Sequence, residues 1–173
     1  MKEIARFSTV LFLICSVSAG MLAFIYSIAE PRIIEQRRLE EKRAIEEVLP
    51  ETPEVIEKAQ EEDLVFYKAK DAKGNLIAYV FIAQAYGYSS DIRIVVSLSP
   101  RGNIIAVKIL EHSETPGIGS GITGGDFLNQ FKNKNITEQF DTITGATISS
   151  TAVIDSIKEG SEALFKSISE PSD

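Results

Sequence analysis

The sequence predicts an α+β protein: an N-terminal transmembrane helix, a charged helical linker, and an antiparallel sheet packed with a C-terminal helix. Three observations carry this prediction. The chain is free of charge from Phe7 to Ala29, two pairs of strand-like runs with short turn sequences begin at Leu64, and apolar residues return at helical spacing after Thr147.

The first element is the run "FSTVLFLICSVSAGMLAFIYSIA", preceded by Lys2 and Arg6. About 20 apolar residues suffice to cross ~30 Å of hydrocarbon. A cleaved signal peptide is the competing reading, but its apolar core is shorter, about 7–15 residues. Here apolar sequence continues past the small residues of "SVSAG" through Leu22, Phe24, Ile25 and Tyr26, which favours a retained anchor over residues 1–29. Cys15 lies inside this run and reads as a small buried apolar residue. Lysine and arginine are more numerous after the run than before it, which by the positive-inside rule alone puts the following domain in the cytoplasm.

Residues 30–63 hold twelve acidic and six basic residues, so most of the chain's net charge of -7 sits in this linker. "PRIIEQRRLEEKRAIEEVL" reads as a helix with Pro31 in its first turn. Arg37 with Glu41, Lys42 with Glu46 and Arg43 with Glu47 are spaced to pair along its surface. Pro50 and Pro53 end it. The linker is expected to be a solvated stalk, the alternative being a lever or docking helix.

The globular domain is expected over residues 64–173. "LVFYKAK" and "LIAYVFIAQA" flank the turn "DAKGN", and "DIRIVVSLS" and "IIAVKILE" flank "PRGN", so two hairpins are predicted. A glycine-rich loop follows at 112–125, then a short helix, "DFLNQFKN". Ser150, Val153, Ile154, Ile157, Leu164, Phe165 and Ile168 define the apolar face of the last helix.

Composition narrows the function. A net charge of -7 argues against nucleic acid, which demands basic surface. One cysteine excludes an internal disulfide, and one cysteine with one histidine, His112, makes a zinc site within the chain implausible. There is no phosphate-binding P-loop, no carboxylate pair at telling spacing and no nucleophile–base pair, so no catalytic residue is assigned and hydrolysis is poorly supported.

Two motifs remain. Thr144-Gly145-Ala146-Thr147 precedes a helix whose first turn is rich in hydroxyls. A helix N-terminus offers unpaired N–H groups and partial positive charge to a phosphate, though ordinary capping explains the same residues. "EHSETPGIGSG" is stiffened by Pro116 and bared by Gly117, Gly119 and Gly121, so its backbone can lie against a planar ring. A mobile loop is the plainer alternative.

Together "HSETPGIG" and "DTITGATISSTAV" resemble the FMN-binding domain of the G subunit of Rnf-type ion-translocating oxidoreductases. They are also similar to the C subunit of the sodium-pumping NADH:quinone oxidoreductase. The resemblance extends to "GYSSDIRIVVSLSPRGNIIAVKILEH" and to the N-terminal anchor, and the chain's length favours the Rnf family.

The resemblance implies FMN attached through its phosphate to the last threonine of the motif, here Thr147, by a flavin transferase that uses FAD and magnesium. Asp141, Thr144, Gly145 and Ala146 match the surrounding recognition motif. Glu114, Thr115, Pro116, Gly117, Ile118 and Gly119 match the loop expected near the flavin. It further implies an electron-carrier subunit of a ferredoxin:NAD oxidoreductase complex, with no turnover of its own. The other subunits, the transferase and the bilayer are its partners. In that family the domain lies outside the cytoplasm on a single-pass anchor in the inner (plasma) membrane, and the family is followed over the charge count. The alternatives are the quinone-reductase C-type subunit and a flavin-free structural membrane subunit.

Overall fold

The computed structural model describes residues 2–61, 64–117 and 119–169. The α+β expectation holds. One long helix, α1 (Lys2–Glu47), is followed by five strands, β1 (Val55–Glu61), β2 (Leu64–Lys70), β3 (Leu76–Tyr86), β4 (Asp91–Leu98) and β5 (Ile104–Glu111). A 3-10 turn (Gly119–Thr123), the short α2 (Gly125–Asn129) and α3 (Thr147–Ser169) complete the chain. Contacts divide it into two units, one up to Glu40 and one from Glu41 onward.

The first unit is helix, apolar from Phe7 to Ala29 and charged beyond. Its most apolar 18-residue window has a mean hydropathy of 2.2, so α1 is long and apolar enough to cross a membrane. Phe7, Leu11, Phe12, Met21, Phe24 and Ile25 all stand exposed, which is the all-round apolar surface of a helix without a protein core to bury it. Pro31 does not start a second helix as the sequence suggested: α1 runs through it. Proline in a helix interior removes one backbone hydrogen bond, and here the helical sequence on both sides carries the element past that gap.

In the second unit the strands form a meander in chain order, every pair antiparallel. Side chains alternate faces along a strand. Tyr79, Phe81, Ala83 and Ala85 of β3 and Ile92, Ile94, Val96 and Leu98 of β4 point to one face, where Val153, Ile154, Ile157 and Leu164 of α3 complete the main core with Phe127 and Phe131. The fit is close at Gly160, where a Cβ would collide with the buried Phe81 ring.

The other face corrects the expected linker. β1 lies inside the segment read as the charged linker, past the prolines that end its helix, and pairs its full length with β2. Its charge hid its strand character, and charged residues on an edge strand are a normal guard against further pairing. The last turns of α1 also belong to this unit. Ala44, Ile45 and Val48 are buried against Val80 and Val95, so the sheet is covered on both faces. Glu41 and Glu47 reach to the sheet: Tyr67 Oη donates to Glu41 Oε1 at 3.1 Å, Arg93 Nη2 to Glu41 Oε2 at 3.1 Å, and Lys108 Nζ pairs with Glu47. Burial and the neighbouring Glu41 carboxylate raise the Tyr67 pKa.

Candidate functional site

The site forms where α3 begins. Residues 143–146 make a turn in which the Ala146 N–H donates to Ile143 O at 2.9 Å. Gly145 sits at its third position with φ 85°, the left-handed region that favours glycine there. Ala146 O then accepts the Ser150 N–H at 2.9 Å, opening the helix. The N–H groups of Thr147, Ile148 and Ser149 precede that bond, so the helix itself provides them no acceptor.

The hydroxyls at this helix mouth divide into two sets. Ser150 is fully buried; its Oγ donates to Ala146 O at 2.8 Å and accepts the Ile143 N–H at 3.1 Å, sewing the turn to the helix. Ser149 is buried too, and its Oγ donates to Glu114 Oε2 at 2.6 Å. Thr147, the first residue of α3, is exposed, and its hydroxyl makes no hydrogen bond among the described residues.

Glu114 organises the floor. It is only 5% exposed, yet its carboxylate is well served. Oε1 accepts the N–H groups of Ser89 and Ser90, each at 3.0 Å, and Oε2 accepts the Tyr88 N–H at 3.2 Å. Burial on its own raises its pKa, but the hydrogen bonds from Ser149 and from the Ser89, Ser90 and Tyr88 backbone outweigh burial, and the pKa is lowered. One carboxylate therefore joins the β3–β4 turn, the loop after β5 and the start of α3. Two glycines make room for it. A Cβ on Gly87 would come within 2.5 Å of Glu114 Oε1, and one on Gly119 within 2.7 Å of Glu114 Cβ.

The glycine-rich loop is a folded turn. Thr115 O accepts the N–H groups of Gly119 and Ser120, at 2.9 and 3.2 Å, and the Gly117 N–H donates to Ser120 Oγ at 2.9 Å. His112 serves the same loop: its Nδ1 accepts the Glu114 N–H at 3.2 Å.

These segments enclose a cleft of about 470 Å³. Of the residues singled out from the sequence, Glu114, Thr115, Gly119, Gly145, Ala146 and Thr147 line it. Thr144, Pro116 and Gly117 are exposed and outside its lining, and Ile118 lies outside the described residues. Asp141 is held apart by Gln130, which accepts the Asp141 N–H at 2.7 Å and donates to Asp141 O at 3.0 Å. Sequence reasoning missed Tyr88, Ile148 and Ser149 as lining residues. The available signal for Tyr88 was a large aromatic placed in the turn "GYSS", where small polar residues are the rule.

Chemically the cleft offers two kinds of surface. Thr147 presents a free hydroxyl beside uncommitted helix N–H groups, and Tyr88, Ile148 and Ala146 present apolar surface. Among the described residues no lysine or arginine lines it. An anion there meets a helix terminus and bare backbone, with no side-chain cation.

Comparison with known proteins identifies two regions of the chain. Residues 87–162 match the family model of the FMN-binding domain, a window that begins at Gly87 and includes every residue of the cleft; residues 1–48 match that of the RnfG N-terminal region. The G subunit of the ion-translocating oxidoreductase complex of Methanosarcina acetivorans is 30% identical over 172 residues, covering 90% of this chain and 92% of the relative. The G subunit of the proton-translocating ferredoxin:NAD(+) oxidoreductase complex of Clostridium ljungdahlii is 32% identical over 163 residues, covering 87% and 85%. In fold the chain is similar to the crystal structure of NqrC from Shewanella oneidensis, with a TM-score of 0.52 at 21% identity, covering 69% of this chain and 72% of that one.

Proposed function

From the premise that this chain belongs to the G-subunit family of ion-translocating oxidoreductase complexes and carries an FMN-binding domain, we propose that it holds FMN covalently, as a phosphoester of Thr147. It carries electrons within a membrane complex that links ferredoxin and NAD to ion transport. The observation that supports the attachment most is the division of hydroxyls: Ser149 and Ser150 are buried and bonded, while Thr147 lines the cleft with its hydroxyl free.

The residues fit the cofactor. Bound FMN supplies exchange of one or two electrons. Thr147 and the N–H groups of the first turn of α3 hold the phosphate, and Gly145, whose Cβ position faces open space, keeps the approach bare. A helix terminus is worth about 0.3–1 kcal/mol to an anion, up to ~2 when partly buried. A phosphoester of Thr147 holds the group at this helix end whatever the strength of that attraction. The apolar part of α1 anchors the protein in the inner membrane with its domain on the extracytoplasmic side. A flavin transferase loads it, and the other subunits of the complex supply and remove electrons; the chain has no turnover of its own.

The test is the intact mass of the full-length protein, purified from membranes of cells with an active flavin transferase, beside Thr147→Ala. A gain of one FMN that the variant lacks is the expected result. The same unmodified mass in both would overturn the attachment and return the protein to a structural role.

A further inference from the structure

We propose that Tyr88 receives the planar ring system of the cofactor, with Ile148 as the second apolar wall; this rests on the attachment to Thr147 proposed above. Both residues line the cleft, yet their side chains stay 70% and 58% exposed. Isolated exposed apolar residues are ordinary, so exposure alone assigns nothing. Three further features set Tyr88 apart.

Its main chain is fixed to the attachment point. The Tyr88 N–H donates to Glu114 Oε2 at 3.2 Å and to Ser149 Oγ at 3.3 Å, and Ser149 stands in the same helical turn as Thr147. One hydrogen-bonded unit thus holds the tyrosine and the threonine in a set relation. The residue before it is also constrained. Only a glycine at 87 lets the turn approach Glu114 this closely, so the place of Tyr88 is built and not incidental.

The cleft's other polar groups, finally, are already occupied. Glu114 and Ser149 satisfy each other, and Thr115 Oγ1 lies 3.3 Å from Ser89 Oγ. What remains open is the Thr147 hydroxyl with the first-turn N–H groups of α3, together with the exposed side chains of Tyr88 and Ile148. That is the complement of a phosphate-tethered aromatic ring. An aromatic side chain meets such a ring by offset stacking or edge contact.

The test uses the full-length protein made with an active flavin transferase, as wild type, Tyr88→Phe, Tyr88→Leu and Tyr86→Leu. Tyr86 is the control: it is 71% exposed and outside the cleft lining. Intact mass reads loading, and flavin emission per loaded protein reads contact. A tyrosine touching a flavin quenches its emission by lending an electron to the excited ring and recovering it; phenylalanine and leucine do not. Both Tyr88 variants are expected to keep the mass gain and emit several-fold more brightly, with Tyr86→Leu unchanged. A loaded Tyr88→Phe protein no brighter than wild type would overturn the assignment. So would a folded but unloaded Tyr88→Phe protein, because the hydroxyl would then serve transferase recognition. Wild-type protein without the mass gain is the separate failure of the attachment itself, and this assignment falls with it.

Discussion

Replacing Glu114 by glutamine removes one charge and turns one acceptor into a donor at the centre of the site. In the native protein Oε1 accepts from the Ser89 and Ser90 N–H groups and Oε2 from Ser149 Oγ and the Tyr88 N–H. A glutamine that keeps its oxygen at the first end points its amide N–H₂ at the Tyr88 N–H, donor against donor. Hydrogen bonds to a charged group are worth about 1.5–3 kcal/mol and neutral ones about 0.5–1.5, so losing one and weakening the others costs about 2–4 kcal/mol. For a chain of this size each kcal/mol moves Tm by about 2–4 °C, so the variant should melt roughly 5–15 °C lower.

The assay is near-UV circular dichroism of the full-length protein in detergent, read from its five tyrosines and nine phenylalanines. It should be repeated across acid pH. Because the folded pKa of Glu114 lies below the ordinary 4.5, the folded state binds fewer protons than the unfolded state between the two values. Its contribution is fully present above 4.5 and is lost as pH falls through the lowered value. The gap between wild type and Glu114→Gln should therefore be full at neutral pH and close in acid. A variant that melts within about 2 °C of wild type at pH 7, less than one kcal/mol is worth, would refute the clamp.

Three further outcomes test the packing. Gly160→Val drives a branched side chain into the fully buried Phe81 ring and should destabilise by about 2–3 kcal/mol in a denaturant titration, overpacking being the cause. Gly145→Ala puts a Cβ on φ 85°, a strain of about 1–2 kcal/mol, and should lower FMN loading by intact mass more than it lowers Tm, because the turn that presents Thr147 is what shifts. A polypeptide that starts at Glu41 should fold and melt cooperatively, whereas one that starts at Leu64 should not. The shorter piece lacks β1 and uncovers Val80 and Val95, forfeiting about 1.5–3 kcal/mol for each of Ile45 and Val48 against a total of about 5–15. A cooperative melt of the shorter piece at the same temperature would show that this second face adds nothing.

The strands β2 to β5 and helix α3 were legible in the sequence because their signals are local. Period-two alternation, turn residues and helical spacing each depend on neighbours within one element. The apolar run at the N-terminus was equally plain. β1 was not, because "VIEKAQE" sits in a segment dominated by charge, and only pairing with β2 makes it a strand. Nor was the fate of residues 44–48, where a short apolar patch at the end of a charged helix finds a partner distant in sequence.

The site divides the same way. Composition and motif spacing by themselves drew out two segments, Glu111–Gly121 and Asp141–Val153, and made the hydroxyls before α3 candidates for a phosphate beside ordinary capping; the resemblance to a family joined the two. Tertiary structure decided that Ser149 and Ser150 are buried, through a carboxylate 35 residues away and the turn at 143–146, and that of the exposed threonines at 142, 144, 147 and 151 it is Thr147 that lines the cleft. It also brought Tyr88 into the cleft from a third segment and left Asp141 and Thr144 outside the lining. A motif specifies residue types along a line; which side chain turns inward is set by the groups that meet it in space, and those come from other parts of the chain.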